Sequence, residues 1–314
     1  MIKDIRLSNF KAFLAPQKFS LRAKKSDRLQ GNYLREGRSL LYKSAAIFSG
    51  NNVGKTSFLE AVFLLKKALL GEDIASYAEP NVHAKDAVVK MDASFSLDGQ
   101  GHVYSFAYDA SKKVFLYERF DGAEGESSSL SDEARQPFLE QGRRLEVLFM
   151  DDLPEHPKDD ALSRLLLSSL GLDIEKGHED LSSLGTRRAA ALVPHVVDAL
   201  VEEKALFIDE FDSGLSFVLT RAIVSLFNNI DNPGAQLVFA SHDITLLDTK
   251  RLFLLPQIKL IAKKGRGAAI FSLEKLVKEG EDPRDLFLRG KLGSINRAGL
   301  AKFLVELAKR RNHG

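Results

Sequence analysis

I-F-S-G-N-N-V-G-K-T, residues Ile47 to Thr56, joins a short apolar strand to a turn that opens directly into a helix. A turn ending in Gly-Lys-Thr is typical of a phosphate-binding loop, where successive backbone N–H groups surround phosphate oxygens at a helix N-terminus. In such a loop the ammonium of Lys55 contacts the β- and γ-phosphates, and the hydroxyl of Thr56 binds Mg²⁺. The sequence therefore predicts a nucleotide site formed by Gly50, Asn51, Asn52, Val53, Gly54, Lys55, Thr56 and Ser57.

The loop departs from the usual motif at its first position. Glycine normally stands there, whereas this chain has Ser49, and Gly50 follows one place later. A small residue can still form the turn, so the departure does not exclude a phosphate site. By itself the stretch is also compatible with an ordinary turn rich in glycine and asparagine. A nucleotide switch without hydrolysis is a further alternative that Ser49 leaves open.

The composition indicates one large globular domain, or one domain with a subdomain, because 314 residues with 44% hydrophobic content can bury a full core. No apolar run approaches the ~18 residues of a membrane span, and the N-terminus lacks a signal-peptide core, so we expect a cytoplasmic protein without a membrane partner.

Cysteine is absent, which excludes disulfides, thiolate metal sites and a cysteine nucleophile. The net charge of +2 neither favours nor excludes nucleic acid.

Buried strands alternate with helices over much of the chain. Residues 2–21 read as a hairpin, and the loop strand is followed by a helix from Ser57 to Leu70 that is apolar nearly all round. Later strands cover Ala205 to Asp209 and Gln236 to Ala240, with a helix near Leu219 to Phe227 between them. This alternation predicts an α/β fold with a mostly parallel central sheet flanked by helices.

Other segments are predicted as additions to that sheet. Residues 22–37 are polar and basic and read as a loop, whereas period-two alternation predicts an antiparallel β meander over 86–121. Its aromatic stripe could stack bases, but such a stripe more often forms sheet core. We divide the single 1–314 domain into this meander subdomain, a helical and loop insertion at 122–180, and a 181–314 half that ends in an amphipathic C-terminal helix.

The strand that begins at Ala205 ends in two acids, Asp209 and Glu210. An acid at the carboxyl end of a parallel strand can approach Mg²⁺ held by Thr56, so Thr56 and Asp209 are the predicted metal ligands. His242 follows a further buried strand, where imidazole could contact the γ-phosphate or the attacking water. Glu210, Lys55 and His242 are therefore the predicted catalytic residues. The alternatives are a strand end charged only for solubility and a structural histidine.

Ser183 and Gly185 open a later helix, which is a geometry suited to an anion. Within one subunit, Ser183 and Gly185 cannot lie beside Lys55 on the same sheet and also form the opposite wall of the nucleotide pocket. The simplest prediction is that they serve the nucleotide of a second subunit.

The order of these motifs resembles the ABC-type ATPase heads of the SMC, RecF and OLD group. The motifs that carry the resemblance are N-F-K-A-F (9–13), S-G-N-N-V-G-K-T (49–56), S-L-G-T (183–186), I-D-E-F-D (208–212) and S-H-D (241–243). Over nearly its whole length the chain most resembles small bacterial AAA family ATP-binding proteins associated with anti-phage defence and abortive infection. It lacks the acidic pattern of the TOPRIM nuclease domain that some OLD relatives carry.

The resemblance implies a P-loop NTPase head that forms a head-to-tail homodimer around two molecules of ATP with Mg²⁺ and hydrolyses ATP slowly. Ser216 departs from the family, which commonly has His or Asp there, and no Q-loop glutamine can be placed. The implied roles are Walker A for Asn51, Gly54, Lys55 and Thr56, Walker B for Asp209 and Glu210, signature motif in trans for Ser183 and Gly185, D-loop for Ser213, and switch histidine for His242.

The resemblance also implies a motor or sensor that lacks an effector of its own. The expected partner is therefore a protein effector, such as a toxin or nuclease encoded nearby. The alternative is a RecF-like DNA-binding clamp in repair, in which the basic residues near 22–38 and at 309–311 would face nucleic acid.

Overall fold

The computed structural model describes residues 1–50, 52–97, 99–120, 132–153, 160–172, 184–278 and 280–292. The strands within these ranges are β1 (Ile2–Ser8), β2 (Gln17–Ser20), β3 (Tyr33–Glu36), β4 (Ser39–Tyr42), β5 (Ser44–Ser49), β6 (Val88–Leu97), β7 (Gln100–Asp109), β8 (Val114–Phe120), β9 (Leu145–Phe149), β10 (Ala205–Asp209), β11 (Gln236–Ala240), β12 (Ile258–Lys264) and β13 (Gly267–Ser272). The α-helices are α1 (Lys55–Leu69), α2 (Asp132–Arg143), α3 (Ala161–Ser169), α4 (Leu184–Val201), α5 (Phe217–Phe227) and α6 (Pro283–Leu288).

Six strands form the central sheet, in the order β13-β12-β5-β11-β10-β9. Neighbouring strands from β12 to β9 run parallel, and β13 joins β12 antiparallel at one edge. Every residue of β5, β10 and β11 is buried, as expected of parallel strands covered on both faces. The predicted α/β fold with a mostly parallel sheet is therefore confirmed. The carboxyl ends of β5, β11 and β10 meet at one edge of this sheet.

A second sheet contains five antiparallel strands in the order β2-β1-β6-β7-β8. The predicted first hairpin and the predicted meander belong to this one sheet, because β1 pairs with β2 on one side and with β6 on the other. Pairing between strands so far apart in the chain leaves no local sequence pattern. The aromatic stripe of β7 forms sheet core in part, since Tyr104 and Phe106 are fully buried.

Helix α1 lies between the two sheets. Ala45 and Ile47 of β5 pack in one hydrophobic cluster with α1 and the antiparallel sheet. The alternating residues Ala46 and Phe48 belong to a second cluster on the opposite face, together with buried residues of α4 and α5. The molecule is therefore layered as antiparallel sheet, α1, parallel sheet and outer helices. The burial of α1 agrees with its apolar sequence.

Two segments differ from the sequence-based expectations. Tyr33–Glu36 pairs with β4 in a short hairpin, although the sequence around it was predicted to be loop. Leu34 and Leu41 pair with each other there and are both buried, although the residues around Leu34 are mostly polar. Leu145–Phe149 forms the edge strand β9, which was not predicted and is mostly half-buried.

The subdomain boundaries at 86–121, 122–180 and 181–314 remain predictions. The C-terminal helix of the last segment lies outside the described residues. Among the residues that the structure describes, no helix combines the length and the apolar character needed to cross a membrane.

A buried ion pair ties the end of α1 to the antiparallel sheet. Arg135 of α2 donates two hydrogen bonds to the carboxylate of Glu118, at 2.9 and 2.7 Å, and one to the carbonyl of Ala68 at 2.7 Å. The hydroxyl of Tyr104 also donates to Glu118. Burial, reinforced by this carboxylate, raises the pKa of Tyr104 well above its usual value, so the hydroxyl keeps its proton.

Replacing Arg135 should destabilise the fold strongly. In Arg135→Met the carboxylate of Glu118, which is 1% exposed, would stay buried without the positive charge that neutralises it, and we expect a loss of about 3–5 kcal/mol in the free energy of unfolding. The control Arg144→Met removes an exposed ion pair with Glu140 and should cost about 0.5 kcal/mol. Denaturant unfolding measures both, and equal losses would contradict the structural role of the buried pair.

Candidate nucleotide site

A cavity of about 730 Å³ opens at the carboxyl edge of the central sheet. This volume lies in the range of sites for small ligands and cofactors. Its lining residues are Ala12, Ser49, Asn52, Val53, Gly54, Lys55, Thr56, Ser57, Asp209, Glu210 and His242. The structure thus brings the predicted phosphate loop, the predicted acid pair and the predicted histidine to one cavity. Ala12 was not among the predicted site residues.

Lys55, the first residue of α1, is 7% exposed although it carries an ammonium group. Its Nζ donates to Oγ of Ser49 at 3.2 Å and lies 2.8 Å from Nε2 of His242. For the ammonium to donate to the ring, Nε2 must carry its lone pair. The predicted loop lysine and the predicted histidine are therefore direct neighbours.

The electrostatic environment of Lys55 combines two opposed effects. Burial lowers the pKa of its ammonium, because the charged form loses hydration, whereas the carboxylates of Asp209, Asp212 and Glu210 raise it. A polyphosphate would bring further negative charge to the same ammonium. The buried ammonium of Lys55 is therefore stabilised best when an anion is bound in the cavity.

The backbone of the loop is shaped for an anion. The first N–H groups of a helix have no partner within the helix, and those of α1 lie at the cavity that Thr56 and Ser57 line. Gly54 precedes the helix with φ 129°, and Asn52 has φ 56°, both in the positive region. A Cβ at Gly54 would lie 2.9 Å from the Cβ of Ala12. Glycine is therefore required there by conformation and by the close approach of the 9–13 turn.

Gly54→Ala should weaken nucleotide binding strongly, because the loop has to move away from Ala12 and leave its positive φ. Gly99→Ala is the matched control: Gly99 also has a positive φ, 78°, but no atom lies within 4 Å of its Cβ position. We expect at least a tenfold loss of ATP affinity by isothermal titration for Gly54→Ala and little change for Gly99→Ala. Equal affinities would overturn this account of the loop.

The acid pair at the end of β10 divides into a buried and an exposed carboxylate. Asp209 is 4% exposed, and its Oδ1 accepts a hydrogen bond from the N–H of Glu210 at 3.1 Å. Glu210 is exposed, lines the cavity and has φ 52°, an uncommon conformation for a residue other than glycine. Such outliers are often retained at functional sites, which agrees with the catalytic role predicted for Glu210.

Asp212 is a residue that the sequence-based reasoning did not single out. Its two carboxylate oxygens accept from the N–H of His242 at 3.1 and 3.3 Å. The N–H of Phe211 donates to the carbonyl of Ala240 at 3.0 Å, so two contacts join the segments that follow β10 and β11. The second aspartate of I-D-E-F-D was the available signal, but its partner His242 is distant in sequence.

The oxygen donors at the site fit a magnesium ion. Thr56 and Asp209 line the same cavity and offer a hydroxyl and a buried carboxylate. Magnesium typically takes one or two protein ligands and completes its shell with water and substrate phosphates. Among the described residues, no group of three or more His, Asp or Glu is placed to hold a metal ion. The ligand roles of Thr56 and Asp209 remain predictions.

Other predicted site residues lie apart from the cavity or outside the description. Gly50, Gly185 and Ser213 are described but do not line the cavity. Arg188, on the same helix as Gly185, donates to Oγ of Ser213 at 2.8 Å and to Asp151 at 2.9 Å. The predicted signature helix and D-loop are thus joined to each other. Asn51 and Ser183 lie outside the described residues.

Comparisons with known proteins agree with this geometry. Residues 172–248 match the family model described as "AAA domain, putative AbiEii toxin, Type IV TA system". No curated protein matches the chain. Among solved structures, the SMC head domain from Thermotoga maritima has a TM-score of 0.57 and 14% identity, and the match covers 86% of this chain and 98% of that one. The fold is that of an SMC head-type P-loop ATPase.

Two further SMC head structures are similar. One is an SMC head bound to the C-winged helix domain of ScpA, with a TM-score of 0.54, 11% identity and coverage of 88% of this chain and 98% of that one. The other is an SMC head with an extended coiled coil, bound to the C-terminal domain of ScpA derived from Pyrococcus furiosus. It has a TM-score of 0.53 and 11% identity, covering 88% and 97% of the two chains. The predicted ABC-type head is therefore confirmed as a fold.

Proposed function

We propose that this protein is an ATPase whose ATP-bound homodimer controls a protein effector in phage defence. One observation carries the proposal. The cavity collects Lys55, Asp209 and Glu210 from one copy, whereas Gly185 and Ser213 of that copy lie outside its lining. A head-to-tail dimer would bring Gly185 and Ser213 of a second copy against the bound nucleotide, which is the arrangement that the motif order implies.

Each residue of the cavity then has a task in hydrolysis. Lys55 exchanges its contact with His242 for phosphate oxygens, and this frees Nε2 of His242 to contact the γ-phosphate or the water. Asp209 and Thr56 would hold Mg²⁺, which neutralises charge that develops on the phosphates. Glu210, exposed in the cavity, orients the attacking water and accepts its proton.

A protein partner is supported by the comparisons. Two of the similar SMC heads were solved bound to a domain of ScpA, so this fold can carry a second protein. The matching family description names a toxin and a toxin–antitoxin system, which agrees with control of an effector in defence. A cytoplasmic location is part of the same proposal.

Mixing two inactive variants tests the shared site. Lys55→Ala removes the phosphate contact, and Gly185→Glu places a charge where the second copy is proposed to touch nucleotide, so each alone should lose phosphate release by at least about 100-fold. A mixed dimer contains one intact site of two, and about half of the dimers in an equimolar mixture are mixed, so the mixture should recover about a quarter of the wild-type rate.

Thermal melting must show that both variants are folded. Normal hydrolysis by Lys55→Ala, or no recovery on mixing, would refute the sandwich.

Glu210→Gln should trap the ATP-bound dimer and reveal its partner. The amide cannot accept the proton of the water, so the variant should stay dimeric with ATP and Mg²⁺ on size-exclusion chromatography with light scattering. We expect one stoichiometric protein to co-purify from the native host, and none with Glu210→Gln carrying Lys55→Ala. A strict monomer with ATP would contradict the dimer.

A RecF-like DNA clamp is the alternative, and one surface favours it. In the cross-strand register of the antiparallel sheet, Lys18, the exposed Arg6 and Arg119 lie in one row, with Asp92 and Ser105 between Arg6 and Arg119. Asp4 pairs with both Lys18 and Arg22, so it offsets part of the positive charge of this row and of the 22–38 segment. Nucleic acid that co-purifies with Glu210→Gln and is removed by salt would support the clamp instead of the effector.

A further inference from the structure

A second cavity, of about 520 Å³, lies beside the nucleotide site and takes no part in the proposed hydrolysis. Its wall includes the aromatic rings of Phe63 from α1, Phe149 from β9 and Tyr77. The ring of Phe63 meets that of Tyr77 edge-on at 5.4 Å and that of Phe149 at 6.5 Å between centroids. Tyr77 is 40% exposed, so part of this aromatic wall is accessible from outside.

Carboxylates outnumber ammonium groups around this cavity. Glu60, Glu79 and Asp152 line it together with a single lysine, Lys11. Lys11 Nζ lies 2.6 Å from Glu60 and 3.5 Å from Glu79, so its charge is shared between two acids. Asp152 is exposed and has no hydrogen-bond or ion-pair partner among the described residues. The lining therefore keeps an unbalanced negative charge.

The histidine of the lining does not supply the missing positive charge. Nδ1 of His195 lies 2.6 Å from a carboxylate oxygen of Glu146, so any positive charge on that ring faces a fourth acid. The rings in the wall favour an organic cation, because a delocalised cation can stack on them as well as pair with the carboxylates.

The aromatic wall is already suited to a cation. Lys67, which pairs with Glu72 and does not line the cavity, places its Nζ 5.1 Å from the centroid of Phe63 and 4.9 Å from that of Tyr77, so both rings already hold one ammonium at cation–π distance. A guanidinium group combines a planar face that stacks on aromatic rings with N–H groups that pair with carboxylates. Rings on the wall and an unpaired carboxylate at Asp152 are the two features that such a group requires.

We propose that this cavity binds the arginine side chain of a protein partner. The identity of that partner as the effector rests on the proposed function, whereas the chemistry of the cavity does not. Lys11 lines this cavity, and the next residue, Ala12, lines the nucleotide cavity. Glu60 lies about one turn further along α1, the helix that begins at Lys55. Phe149 pairs in register with Asp209. An arginine bound here would therefore contact two elements that line the nucleotide cavity, the 9–13 turn and α1, and a third, β9, that pairs with the strand ending at Asp209.

L-argininamide is a direct probe of the cavity. Titration followed by two-dimensional NMR should shift signals of the lining residues with a dissociation constant on the order of 1 mM, as expected for so small a ligand. L-citrullinamide has nearly the same shape without the charge and should not bind. Asp152→Asn should weaken argininamide binding about fivefold. The control Glu202→Gln, an exposed carboxylate on another surface, should leave it unchanged.

Equal shifts with argininamide and citrullinamide, or unchanged affinity in Asp152→Asn, would overturn the proposal. Its extension to a partner is tested by adding Asp152→Asn to Glu210→Gln, which should release the co-purifying protein without changing ATP affinity. Retention of that protein would also overturn the proposal. Argininamide binding that depends on Asp152, with no protein retained by Glu210→Gln, would instead refute effector control and leave the cavity chemistry intact.

Discussion

The buried ammonium of Lys55 is the constraint on which the site depends. A charge that is 7% exposed is costly unless opposite charge and hydrogen-bond acceptors surround it. Asp209, Asp212 and Glu210 supply the charge. Lys55 follows β5 and the three acids lie at or just after the end of β10, so they converge only if β5, β11 and β10 keep their parallel register. The fold and the chemistry therefore share one requirement: the carboxyl ends of three strands must meet.

Helix α1 links the nucleotide site to the rest of the molecule. Its first turn presents Lys55 and Thr56 to the cavity, and its last turn is held by the hydrogen bond from Arg135 to Ala68. Because Arg135 is itself fixed by the buried carboxylate of Glu118, the antiparallel sheet determines where α1 ends. A change in the position of α1 on nucleotide binding would therefore have to reach both sheets, since the helix packs between them.

The parts predicted from sequence were those with a local pattern. The loop, the pair Asp209-Glu210 and the strands of the parallel sheet each show apolar runs ended by characteristic residues. The structure places Lys55, Asp209 and His242 at one cavity, although their roles in binding and hydrolysis remain predictions. The contact of Ala12 with the loop, the pairing of β1 with β6 and the hydrogen bond from His242 to Asp212 could not be predicted, because each joins segments distant in sequence.

The serine at the first loop position, which suggested a loss of hydrolysis, has a different explanation in the structure. Among the described residues of the loop, positive φ angles occur at Asn52 and Gly54 and not at Ser49 or Gly50, so the position of Ser49 does not require glycine. The Ser49 hydroxyl donates to the carbonyl of Gly50 at 2.5 Å and accepts from Lys55 at 3.2 Å. It therefore adds a hydrogen bond to a buried ammonium that glycine could not make. Ser49 is therefore compatible with a phosphate loop, and Glu210, the predicted base, lies exposed at the same cavity.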